Sequence, residues 1–149
     1  MMSPYDQQAA QAAALAQDIR GLVGKLRRRL REQADVGDLT PSQTAVLLRL
    51  EKDGPTTTSS LARAEGMRPQ SMGTVIVALE SAGLVQGTPD PKDGRQTILS
   101  LTDTCRQLIR EGRAARQDWL LRTIQARLSP QEQDVLTAAV ALLERIVDD

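Results

Sequence analysis

Apolar residues recur at helical spacing along most of this chain, interrupted once by a short stretch that alternates instead. From residue 12 to about residue 33, Leu15, Ile19, Leu22, Val23, Leu26 and Leu30 keep to one stripe, with Lys25, Arg27, Arg28, Arg29 and Arg31 mostly on the other faces. That predicts a first helix, preceded by a small, polar and frayed segment over residues 1–11, with the arginine cluster as a solvated face. Residues 34–38 read as a linker. Thr40, Pro41 and Gln43 then supply a cap, a first-turn proline and a capping-box partner for a second helix to about Lys52, stopped by Asp53-Gly54-Pro55.

Thr57, Thr58, Ser59 and Ser60 offer N-caps for a two-turn helix beginning at Leu61-Ala62 and stopped by Gly66. Pro69 suits the first position of the next helix, in which Met72, Val75, Ile76 and Leu79 form an apolar stripe. Ala62 is small where two helices joined by so tight a turn must cross. After Gly83, Leu84-Val85 and Thr97 to Leu101 read as two strands joined by the turn-rich residues 89–94, with Asp93-Gly94 as a hairpin signal. Thr102 caps a helix of about 26 residues, about 39 Å long at 1.5 Å per residue, which reaches beyond what one small domain needs. Ser129, Pro130 and Glu132 open a last helix that carries Val135, Leu136, Ala139, Leu142, Leu143, Ile146 and Val147.

The expected fold class is therefore mainly α with a small β-hairpin wing, a winged helix-turn-helix joined to a helical dimerisation domain. Residues 1–38 form an N-terminal dimerisation helix, 39–101 the winged helix-turn-helix domain, and 102–149 the C-terminal dimerisation helices, in one compact unit overall. A 149-residue monomer cannot cover its long first, fifth and last helices, which predicts a homodimer.

Composition narrows the chemistry. The chain has one Trp, one Tyr and no Phe, so its core must be built from aliphatic side chains. With no histidine and one cysteine, the common zinc sites and every histidine-based triad are excluded. No phosphate-binding glycine loop or nucleophile with a base is present, so the reading is a non-enzyme without cofactor or metal. No signal peptide or membrane-length apolar run is visible, and the lone Cys105 has no disulfide partner, which fits a cytoplasmic protein with no membrane partner. Charge gives less help: residues 40–100 hold six cations and six acids, where a nucleic-acid domain usually carries a basic surplus.

Gln70, Ser71, Gly73 and Thr74 fall off the apolar stripe, near the start of their helix. They are short or planar and uncharged, a surface suited to base edges in a major groove. Lys92 and Arg95 put cations at the hairpin tip, where phosphates or a minor groove would meet them.

At Leu84-Val85, Asp90-Pro91-Lys92-Asp93-Gly94-Arg95 and Leu99-Ser100-Leu101-Thr102 the chain resembles the wing of MarR-type transcriptional regulators. Leu39-Thr40-Pro41-Ser42-Gln43 with Val46-Leu47 resembles the start of that family's second helix, and Leu128-Ser129-Pro130-Gln131-Glu132 the start of its last. The resemblance covers roughly residues 12 to 147. It departs at Gln86, Gly87 and Thr88, where family members often carry basic residues, which bears on wing contact and not on fold.

The candidate contacts to double-stranded DNA are Ser59, Ser60, Arg68, Gln70, Ser71, Thr74, Lys92 and Arg95, with Asp93 and Gly94 shaping the wing. The resemblance implies a sequence-specific dimeric regulator, a repressor released from a palindromic operator by a small-molecule effector bound between the dimer helices and the DNA-binding unit. A winged-helix protein-interaction module without DNA binding is the alternative. Trp119 is a candidate effector contact, although its spacing favours dimer or core packing. Cys105 reads as small core filler, since the family's peroxide sensors carry their reactive cysteine near the N-terminus.

Overall fold

Three helices begin on the same local device: a hydroxyl that accepts from the third backbone N–H, a first-turn proline, and a side chain that reaches back to the cap's own N–H. In the computed structural model, which describes residues 1–34 and 39–149, Ser3 with Asp6 opens α1 (Pro4–Glu32), Thr40 with Gln43 opens α2 (Pro41–Asp53), and Ser129 with Glu132 opens α6 (Pro130–Val147). The first of these corrects the expectation of a frayed segment over residues 1–11. Ser3-Pro4-Tyr5-Asp6 is a capping signal in its own right, and it carries α1 back to Pro4 without any apolar periodicity to announce it. The linker expected over residues 34–38 lies, from residue 35 onward, outside the described residues.

One compact unit runs from α2 through α3 (Thr58–Glu65), α4 (Pro69–Ser81), β1 (Val85–Pro89) and β2 (Thr97–Leu101) to Gly112 in α5 (Asp103–Arg127). Thr57 is the cap of α3, accepting from the Ser60 N–H at 3.2 Å, so the helix starts three residues before Leu61. Gly66 takes the left-handed conformation at φ 63°, which lets the Met67 N–H return to Ala62 O at 2.8 Å and reverse the chain into α4. Gly83, at φ 74°, ends α4 in the same manner. The Leu84 N–H donates to Leu79 O at 3.0 Å and the Gly83 N–H to Glu80 O at 3.0 Å.

The hairpin is antiparallel, with Val85 opposite Leu101 and Pro89 opposite Thr97. Thr56, just before α3, exchanges two backbone hydrogen bonds with Leu99, of 2.7 and 3.1 Å, so the entry to the helix pair is tied to the second strand. Thr102 closes the other side. Its hydroxyl donates to Gly83 O at 2.7 Å and accepts from the Cys105 N–H at 3.1 Å, fixing the start of α5 to the end of α4.

Inside this unit lies one wholly aliphatic and sulfur-bearing core. It takes Val46, Leu47 and Leu50 from α2, Leu61 and Ala62 from α3, and Met72, Ile76 and Leu79 from α4. Leu84, Val85, Leu99 and Leu101 close it from the hairpin side, and Cys105 from α5. Arg49 clips α2 to α3 at the rim, pairing with Glu65 at 2.6 Å and with Asp53 at 3.4 Å.

The second unit is built from α1, the part of α5 after Gly112, and α6. It buries little: no residue of α1 or α6 is buried, and Leu22, Val135 and Ile146 are 63%, 70% and 71% exposed.

Two outcomes follow from the core. Leu61→Ala removes a fully buried side chain at the α3–α4 crossing and is expected to cost about 2–5 kcal/mol, read from the midpoint of urea unfolding with an unchanged slope. Cys105 is 1% exposed, and burial pushes its thiol pKa up, keeping the unreactive protonated form at neutral pH. It is expected to react with a thiol reagent many times more slowly in the native protein than in urea; equal rates would contradict its place in the core.

Candidate nucleic-acid interface

The core decides which side of α4 faces out. Met72, Ile76 and Leu79 are buried and Val75 is half-buried, so the opposite side carries Gln70, Thr74, Val77 and Ser81 at i, i+4, i+7 and i+11, all exposed. None of the four is charged. The Thr74 hydroxyl donates to Gln70 O at 3.3 Å and keeps its lone pairs for another donor. Ser71 is also exposed, about a quarter-turn round the helix from Gln70. Val77 is the apolar member of this side, three residues beyond Thr74 and seven beyond Gln70, a spacing legible in the sequence.

The other helix-turn-helix candidates differ among themselves. Arg68 is exposed at the N-cap of α4 and makes no side-chain cap bond there. Ser59 is exposed on α3. Ser60 is half-buried, and its hydroxyl lies 3.1 Å from that of Thr57 and accepts from Arg63 at 3.4 Å, so it serves the helix start first.

At the hairpin tip two aspartates fold the loop around themselves. Asp90 accepts from the Lys92 N–H at 2.9 Å and Asp93 from the Arg95 N–H at 3.1 Å. Backbone bonds from Asp90 N to Gln96 O, 2.9 Å, and from Gln96 N to Asp93 O, 3.0 Å, close it. Gly94 does not take a positive φ, so Asp93-Gly94 forms no tight two-residue turn; the seven residues from Asp90 to Gln96 make a wider one. Asp93 shapes the wing through the Arg95 backbone, which leaves the Arg95 side chain exposed beside Lys92 and Gly94.

Part of the charge of residues 40–100 is engaged within the fold. Asp53 and Glu65 hold Arg49 within the helices, and Asp90 and Asp93 turn a carboxylate oxygen onto their own loop. Arg68, Lys92 and Arg95 are exposed and make no ion pair among the described residues. Exposed cations therefore stand at the start of α4 and, beside the carboxylates of Asp90 and Asp93, at the hairpin tip.

Trp119, the candidate effector contact, lies in the second unit, half-buried, with the Arg29 guanidinium 6.0 Å over its ring. An open depression of about 540 Å³ in that unit is walled by Leu30, Arg113, Ala114, Arg116, Gln117 and Leu120, and Trp119 is not part of the wall. Among the described residues no helix is long and apolar enough to cross a membrane.

Comparison with known proteins bears on the fold and the family. The MarR family model matches residues 39–97. Over 137 residues the chain is 36% identical to an uncharacterised HTH-type transcriptional regulator of Mycobacterium bovis, covering 92% of this chain and 95% of the relative. A transcriptional regulator from Pseudomonas aeruginosa has the same fold at a TM-score of 0.78, with 35% identity over 93% of this chain and 97% of that one. A point mutant of S. aureus MepR bound to an oligodeoxyribonucleotide shares the fold at a TM-score of 0.71 and 20% identity, over 90% of this chain and 98% of that one. With its aliphatic helix-turn-helix core, its two-stranded wing and these relatives, the chain belongs to the MarR family of transcriptional regulators.

Proposed function

We propose that the protein is a homodimer that reads a palindromic operator on double-stranded DNA and represses transcription until a small organic effector releases it. The observation that carries the DNA reading is the exposed, uncharged stripe of α4 with unpaired cations near it and on the wing. Gln70 and Thr74 act on base edges, with Ser71 and Ser59 beside them. Arg68, Lys92 and Arg95 meet phosphates or the minor groove, Asp93 and Gly94 hold the wing in shape, and Ser60 contributes mainly by ordering the start of α3. The MepR structure, which shares the fold, has an oligodeoxyribonucleotide bound, which favours this use of the fold over a protein-interaction module.

The dimer reading rests on α1 and α6. Their exposed leucines, isoleucine and valines form apolar surface that water does not favour, and a second copy offers the same surface in return. Residues 1–38 and 102–149 are the dimerisation segments in this reading, and residues 39–101 carry the DNA contacts. The depression beside Leu30 and Leu120 gives a small effector a place in the helical unit.

Light scattering is expected to give twice the 16.2 kDa of one chain at micromolar concentration; a monomer there contradicts the paired half-site reading. Gln70→Ala and Arg95→Ala separate the two contact surfaces. Loss of Gln70 should cost about 1–3 kcal/mol on the operator and much less on scrambled DNA. Loss of Arg95 should weaken both DNAs more evenly and lower the salt slope by roughly one counterion per subunit. If Arg95→Ala matches wild type on both DNAs across a salt series, the wing is not a DNA contact and the protein-interaction reading gains.

A further inference from the structure

Val77 is the one apolar residue on the outward stripe of α4, and it is 64% exposed. It is neither in the core nor packed against it, whereas Val75, two residues earlier, is. Local helix stability gives no reason for it, because a β-branched residue on a solvated helix face is a poorer helix former than alanine, leucine or lysine. Gly73 lies four residues before Val77 and so is its neighbour on the helix surface. A Cβ built on Gly73 would meet nothing within 4 Å, so the fold does not require glycine there, although glycine inside a helix is less stable than alanine. Side by side, the two residues form a branched apolar group next to a gap that the protein itself leaves open.

We infer that Val77 is a base-reading residue, packing its methyl groups against the C5-methyl of a thymine over the gap at Gly73; this rests on the DNA reading of α4 above. Val77 lies seven residues beyond Gln70, about 10 Å along the helix axis and within about 20° of it in direction, so both face the same groove and meet different base pairs. A valine side chain neither donates nor accepts hydrogen bonds. The thymine methyl is the one apolar group that base edges present in the major groove, so it is the feature this side chain can favour over the other bases. Gln70 and Thr74 then select by hydrogen bonding, and Val77 by the shape and apolarity of one methyl group.

The test uses the operator recovered by selecting genomic fragments on the full-length protein. Each thymine is replaced in turn by deoxyuridine, which removes the C5-methyl and leaves base pairing intact. Wild type is expected to lose about fourfold in affinity at one thymine of the half-site, the worth of one buried methyl. Val77→Ala should bind the unmodified operator more weakly by a similar factor and then show no difference between thymine and deoxyuridine at that position. Its thermal unfolding should be unchanged or slightly raised, which separates the effect from misfolding. Gly73→Ala, which fills the gap, should also lose the thymine preference while remaining folded. Wild type that binds the operator but ignores every methyl removal overturns the Val77 contact and leaves the DNA reading standing, as does a penalty that persists in Val77→Ala. Failure to retain any DNA fragment overturns both.

Discussion

Burial of Leu61, Met72, Leu79 and Leu99 in a single aliphatic cluster is the interaction on which the rest of the structure depends. Each of these side chains contributes about 1.5–3 kcal/mol when fully removed from water, and they come from α3, α4 and β2, so no two of those elements can shift without exposing one. The core also has no aromatic ring to anchor it. Aliphatic side chains must instead interlock closely, and the small Ala62 is buried among them while Gly66 and Gly83 reverse the chain on either side of α4. Once Met72, Ile76 and Leu79 point inward, the outward side of α4 is settled by helix geometry, and with it the identity of the residues that can touch a ligand.

Electrostatics then works by arrangement rather than by surplus. A chain with no net charge cannot attract DNA through its overall field, so the placement of its exposed cations matters more than their number. Arg49 bridges Asp53 and Glu65, while Asp90 and Asp93 accept backbone N–H groups of the wing. The same aspartates that order the loop hold up Lys92 and Arg95 at its tip. The loop is thus ordered by the same short segment that carries the wing's exposed cations.

Most of the fold was legible because its signals are local. Thr40 with Gln43, Ser129 with Glu132, Pro69, Gly66 and Gly83 each state a helix boundary within a few residues, and the stripe from Met72 to Leu79 states the buried face of α4. What was missed depends on pairings that sequence spacing does not display. The start of α1 rests on Ser3 reaching Asp6 ahead of any apolar pattern, and the Thr56–Leu99 bridge joins residues 43 positions apart. The wing turn went another way than Asp93-Gly94 suggested, because two aspartate side chains closed a wider loop. At the candidate interface, exposure of Gln70, Thr74, Lys92 and Arg95 followed from patterns in the chain, whereas the engagement of Ser60 with Thr57 and Arg63 needed coordinates.

If the protein reads DNA as proposed, the side of α4 turned away from the core meets the duplex. The most direct measurement is an NMR titration of the labelled protein with its recovered operator, following backbone amides. The largest shifts are expected along α4 from Gln70 to Ser81 and in the wing from Asp90 to Gln96, with the sequence-dependent part, seen by comparison with scrambled DNA, concentrated on α4. Shifts confined to α1 and α6, or identical on α4 for operator and scrambled DNA, would contradict it.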